Sequence, residues 1–254
     1  MKKKLAALLT AVLCLSLFAG CGSKKEDLEY IKDNGEMVMG IPLFEPMNYN
    51  DENGELTGFE TEFAKAVCEK LGVKAKFQVI EWKQKETELK AKSIDCIWNG
   101  LTVTDERREN MAFSTSYVSN YQVAVIRKAD AEKYVDVASM AGANMIAENG
   151  SAGQEVIQND AVLSQNKFVA AAAQKDALLE VKAGTSDIAV LDYIMANAVV
   201  NNDSDFSDLM IVDGIEFAPE EYAIGFRMND TELVAAVNKA IDELVADGAM
   251  AALA

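Results

Sequence analysis

The chain has 254 residues, half of them hydrophobic, and its 41 Asp and Glu outweigh 24 Lys and Arg to give a formal charge of −17. Such acidity argues against binding to nucleic acid or to an anionic membrane surface, because those contacts are made by Lys and Arg clusters. There is no histidine, which excludes a Ser-His-Asp or Cys-His catalytic set and any His-based metal site; no metal or cofactor is expected.

Met1-Lys2-Lys3-Lys4 opens the chain, a mostly apolar, uncharged run extends from Leu5 to Phe18, and Ala19-Gly20-Cys21 follows. A basic start, a short apolar run and small residues at a cut site describe a secretory signal peptide over residues 1–20. The run is shorter than the roughly 20 residues a spanning helix needs, and no later segment is long and apolar enough either. Loss of Lys2, Lys3 and Lys4 makes the remaining chain more acidic still. That remainder suffices for one large domain or two small ones. Phe18-Ala19-Gly20-Cys21 resembles the bacterial lipobox, with Phe18 where Leu is usual. Cys21 is therefore expected to carry lipid, residues 21–26 to act as a polar tether, and the chain to be held on the outer face of the membrane by its acyl chains.

Glu36 to Ile41 reads as a short apolar strand. Asp51-Glu52-Asn53-Gly54 is a turn signal. Phe59, Phe63, Val67 and Leu71 form a helical face that Gly72 closes. Lys74 to Ile80 alternates as a half-buried strand should. A helix through Thr87–Ala91 leads to a strand over Ile94–Trp98. Strands are expected again at Val123–Ile126, Asn144–Ala147 and Ile188–Leu191, with a helix over Lys175–Ala183. The last helix carries Leu233, Val237, Ile241 and Leu244 on one stripe, capped near Asp230 and ended by Gly248. Lys90-Ala91-x-x-x-Asp95 and Lys182-Ala183-x-x-x-Asp187 share a spacing, each where a helix hands over to a strand, which suits two similar lobes. Alternation of strands and helices indicates α/β architecture with largely parallel sheets. Cys68 and Cys96 are compatible with a disulfide or with two buried thiols.

Several motifs in this order resemble those of the extracellular solute-binding proteins of the polar amino-acid ABC-transporter family. They are Phe44-Glu45-Pro46-Met47, Gly58-Phe59, Asp95-Cys96-Ile97-Trp98-Asn99-Gly100, Gly100-Leu101-Thr102-Val103-Thr104-Asp105-Glu106-Arg107, Phe113-Ser114-x-x-Tyr117, Gly150-Ser151, Asp187 to Asp192, and Tyr222 to Arg227. The resemblance covers nearly all of the chain after the signal peptide. It implies an α/β, two-lobed, periplasmic-binding-protein-like (type II) fold, with two mixed, mostly parallel sheets joined by a two-segment hinge. Residues 27–116 and 223–254 would form lobe one, 122–217 lobe two, and 117–121 and 218–222 the hinge. Family members usually continue past the last helix into an aromatic-rich segment, whereas this chain stops at Ala254. The implied activity is capture of a small polar amino acid by cleft closure and its delivery to an ABC permease, by a monomer that is not an enzyme. Two rival readings are a cyclohexadienyl or arogenate dehydratase on the same fold, for which Glu148 could supply the acid, and a sensory module serving a separate receptor.

An amino-acid ligand presents a carboxylate and an ammonium, and both are costly to bury unpaired. The resemblance assigns the carboxylate to Arg107, whose planar fork matches two oxygens. Thr104 would cap its helix, and Gly100 and Thr102 would add backbone N–H groups and a hydroxyl. Ser151 and Ala152 would form the opposite wall at a helix start, where free N–H groups favour anions. Asp192 would pair with the ammonium. Phe44 and Trp82 would surround the ligand side chain, and Asn99 would meet its distal group. Ile41 stands where lysine- and arginine-preferring members tend to have an acid, which favours a neutral ligand, glutamine- or cystine-like.

Overall fold

The structure is a computed structural model that describes residues 27–253; the expected signal peptide, the tether and Cys21 lie outside the described residues. Lobe one begins with α1 (Asp27–Asn34) and β1 (Glu36–Ile41), followed by the small hairpin β2 (Tyr49–Asn50) and β3 (Leu56–Thr57). Then come α2 (Phe59–Leu71), β4 (Lys74–Val79), α3 (Lys85–Lys90), β5 (Cys96–Ile97), α4 (Asp105–Asn110) and β6 (Ala112–Phe113). The chain crosses on β7 (Val118–Arg127) into lobe two, which holds β8 (Asn144–Glu148), α5 (Ala152–Asn159), β9 (Lys167–Ala171), α6 (Gln174–Ala183), β10 (Ile188–Asp192), α7 (Tyr193–Val199) and β11 (Leu209–Ile211). It returns on β12 (Phe217–Tyr222) and completes lobe one with β13 (Gly225–Phe226), α8 (Thr231–Ala246) and α9 (Ala249–Leu253).

The sheet of lobe one has the order β4-β1-β5-β13-β6, with β1 parallel to β4 and β5 and with β13 antiparallel to its neighbours. That of lobe two runs β11-β7-β10-β8-β9, with β8 parallel to β9 and β10 and with β7 antiparallel to β10 and β11. The expected α/β class with mixed sheets therefore holds, although parallel pairings do not outnumber antiparallel ones. The strand expected over Ile94–Trp98 is shorter than its apolar run, because only Cys96 and Ile97 pair with neighbours. In lobe one α2 buries Phe63, Ala64, Val67 and Cys68 against Leu233, Val237 and Ile241 of α8; each large apolar side chain so buried contributes about 1.5–3 kcal/mol. Cys68 and Cys96 are free, buried thiols, and burial pushes the Cys68 thiol up to about 12.

The repeated Lys-Ala-x-x-x-Asp spacing has a structural meaning. Asp95 accepts the Val38 N–H of β1 at 2.8 Å, and Asp187 accepts the Asn144 N–H of β8 at 2.9 Å. Each Asp also pairs with an arginine from the antiparallel side, Arg227 at 3.7 Å and Arg127 at 3.2 Å. Those arginines then donate to the helix and loop just before each Asp: Arg227 to the carbonyls of Leu89 and Ile94, Arg127 to those of Val181 and Ser186. The same clamp is thus built once per lobe, tying helix end to strand start. Two helices close alike as well. Gly72 and Gly184 have φ of 75° and 79°, and their N–H groups bond back to Glu69 and Val181, an arrangement that a Cβ would strain.

The two crossing strands lie side by side. β12 runs antiparallel to β7, with Tyr222 opposite Val118 and Glu220 opposite Asn120, and the register shifts between Phe217 and Glu220. Ala218 at φ 39° and Pro219 sit within that irregularity. A paired two-strand ribbon between two sheets can bend without breaking either sheet.

Candidate functional site

The cleft between the lobes is walled by the carboxyl ends of β1, β5, β8 and β10, the usual place for ligands in open α/β sheets. Phe44, Trp82, Asn99, Gly100 and Thr102 line it from lobe one, and Glu148, Ser151, Ala152, Gln174 and Asp192 from lobe two. Of the residues expected at the site, all but Arg107 line this cleft.

Arg107 is 4% exposed and sits beside the cleft, behind Thr102. Thr104 caps its helix, accepting the Arg107 N–H at 3.2 Å. The guanidinium reaches across the lobes: it donates to the Thr102 carbonyl at 2.8 Å and to the Gly150 carbonyl at 3.4 Å, and pairs with Glu155 of α5 at 2.9 Å. A guanidinium has five N–H donors, so donors remain for a ligand anion. Glu155 was missed from sequence because an acid in a helix's first turn does not by itself mark a partner on the other lobe.

Two expected donors are committed elsewhere. The Gly100 N–H bonds Glu60 at 2.9 Å, and the Thr102 hydroxyl donates to Glu220 at 2.7 Å. Neither is therefore free for a ligand carboxylate. The Thr102 N–H is different. Val103 and Ala223 carry the hydrogen bonds around the Thr102–Tyr222 bridge, and among the described residues the Thr102 N–H has no partner. The Asn99 amide is turned to Asn48 rather than held open. Ile41 is fully buried in the core of lobe one and does not line the cleft, so it says nothing about ligand charge.

On lobe two, Ser151 accepts the Gln154 N–H at 3.2 Å and starts α5, which places the helix's positive end at the cleft wall. Gly153 lets that helix approach β10: a Cβ there would lie 2.4 Å from the Val190 carbonyl oxygen. Asp192, 5% exposed, is held by Asn120 at 2.8 Å and Gln122 at 2.9 Å, and also by Gln174 and the Tyr222 hydroxyl. Asn120 and Gln122 also donate to Glu220, so two amides from one crossing strand bridge Asp192 to an acid on the other. Sequence reasoning missed Glu220, Asn120 and Gln122. Their alternation along the two hinge strands was the available signal, since every second residue of a strand shares a face.

The cleft is acid-rich. Burial, reinforced by the Asp192 charge, pushes the Glu148 carboxyl up to about 8 and raises Glu220 as well. Burial lifts Glu60 to about 7 against hydrogen bonds from Tyr117 and the Gly100 N–H. Lys85 is pushed down to about 8 by burial and by Arg107; its ammonium lies 4.7 Å over the Trp82 ring and bonds the Gly150 carbonyl at 3.0 Å.

Residues 37–254 match the profile of the bacterial extracellular solute-binding proteins, family 3. The chain belongs to that family. It is 26% identical over 250 residues to the L-cystine-binding protein TcyJ of Escherichia coli (strain K12), covering 96% of this chain and 92% of that protein. The arginine-bound form of ArgBP from T. maritima superposes with a TM-score of 0.78 at 32% identity, covering 85% of this chain and 99% of that one. The ancestral amino acid-binding protein AncCDT-1, a precursor of cyclohexadienyl dehydratase, superposes with a TM-score of 0.81 at 25% identity, covering 89% of this chain and 96% of that one. The expected type II binding-protein fold therefore holds. The family is one of extracytoplasmic solute-binding proteins, and no helix among the described residues is long and apolar enough to cross a membrane.

Proposed function

We propose that this protein captures a polar amino acid and delivers it to an ABC importer, tethered to the outer face of the membrane by a lipidated Cys21 and working as a monomer. One observation carries the reading. Thr102, with its unpartnered N–H, lines the cleft from lobe one with Arg107 bonded to its carbonyl, while Asp192 lines it from lobe two. A zwitterion satisfies both ends only when the lobes are together, so its binding energy favours the closed form. The permease then recognises that form. Phe44 and Trp82 contribute aromatic surface to the ligand's side chain, and the start of α5 at Ser151 and Ala152 adds a positive dipole end near the carboxylate.

A thermal-shift screen of the twenty amino acids plus cystine tests this, because a ligand that binds only the folded state raises Tm. At least one amino acid should stabilise the protein; the reading fails if none does. A second reading, dehydratase chemistry, draws support from Glu148, whose raised carboxyl keeps a proton at the cleft wall near neutral pH. On the binding reading, steady-state assays with prephenate and arogenate show no turnover; measurable turnover would favour the enzyme.

A further inference from the structure

Lobe two puts two carboxylates at the cleft wall, and an ordinary zwitterion uses only one of them. Glu148 ends β8, is 4% exposed and lines the same cleft as Trp82 and Asp192. Among the described residues no cation lies within ion-pair distance of it. Lys85 is the cation whose field it feels, but that ammonium is committed to the Gly150 carbonyl and the Trp82 face. Its side-chain neighbour is the Gln174 amide, which is also bound to Asp192. A buried acid without a cation is costly, and packing does not explain a carboxylate at this strand end.

We infer that Glu148 determines specificity: it selects an amino acid whose side chain ends in a positive charge, a guanidinium or an ammonium. The inference rests on the amino-acid reading above. Arg107 and the Thr102 N–H answer the ligand carboxylate, Asp192 answers the α-ammonium, and Glu148 answers the third charge. The position also couples selection to closure, since Glu148 rides on lobe two while Trp82 belongs to lobe one.

The electrostatics are consistent with an acid that ionises only for its ligand. The charged groups acting on Glu148 are Asp192 and Asp176, which hold its proton on, and Lys85, which opposes them. With the proton on, the ligand-free cleft avoids a second buried negative charge. An arriving cation reverses the balance and the proton leaves to solvent.

Calorimetry of the mature protein with arginine and with citrulline tests this directly, because the two ligands share length and a planar end group but differ in charge. Lysine and norleucine form a second pair. Arginine should bind at least about 30-fold more tightly than citrulline, the scale for losing one partner of a buried charge pair. E148Q should lower arginine affinity and shrink that ratio several-fold; its melt without ligand reports whether it folds. The comparison on the unaltered protein needs no variant. Citrulline or glutamine binding as tightly as arginine would overturn the inference and leave the amino-acid reading standing. Failure of every amino acid to bind would overturn both.

Discussion

Replacing Arg107 with alanine removes the cation assigned to the ligand carboxylate, and the structure separates that effect from a second one. The guanidinium also ties the lobes together through Glu155 at 2.9 Å. The Glu155 side chain is 39% exposed, so water screens that pair and its worth falls within about 0–1 kcal/mol. Loss of one member of a desolvated ion pair with the ligand costs about 2–5 kcal/mol. Since 1.4 kcal/mol is tenfold, R107A should weaken binding by roughly 30-fold to a few thousand-fold. E155Q removes only the ion pair between lobes, leaving the 3.4 Å bond from Arg107 to the Gly150 carbonyl, and should cost less than about fivefold. Calorimetry on both variants, with the amino acid that most raises Tm, reads the two numbers. Equal losses from R107A and E155Q would mean that the arginine acts only as a latch between lobes. An unchanged R107A would refute the site assignment altogether.

Two further outcomes follow from the same geometry. Glu148 and Glu220 are raised above the ordinary 4.5 by burial and by Asp192, so between that value and about 8 the folded state holds more protons than the unfolded one. Ligand-free stability should then fall as pH rises from 5 to 8, and E148Q should flatten the slope of Tm against pH; a Tm that rises across this window contradicts the burial argument. G153A should destabilise by about 1–3 kcal/mol, because its Cβ meets a backbone carbonyl rather than a side chain that can move; urea unfolding that matches the parent would show that α5 can shift without cost.

Periodicity and punctuation carried much of the fold. The stripes of α2 and α8 and the glycine after α2 could be read one residue at a time, because helix faces repeat locally and caps are short-range. The Asp95 and Asp187 spacing also pointed to a duplicated unit, although the arginines that complete each clamp come from strands far along the chain. Ile41 shows where such reading fails. The last three residues of β1 are all buried, so alternation gives no sign of which side chain meets the cleft. Gly100 and Thr102 line the cleft, but the Gly100 N–H and the Thr102 hydroxyl are taken by Glu60 and Glu220, partners 40 and 118 residues away. Local sequence carries no record of such pairings.

The most direct test is a crystal structure of the protein with the amino acid that the thermal screen selects. The account predicts one ligand in the cleft, its carboxylate within hydrogen-bond distance of the Arg107 guanidinium and the Thr102 N–H, and its α-ammonium on the Asp192 carboxylate. A ligand bound outside the cleft, or one lying in it with its carboxylate turned toward lobe two's acids, would contradict it.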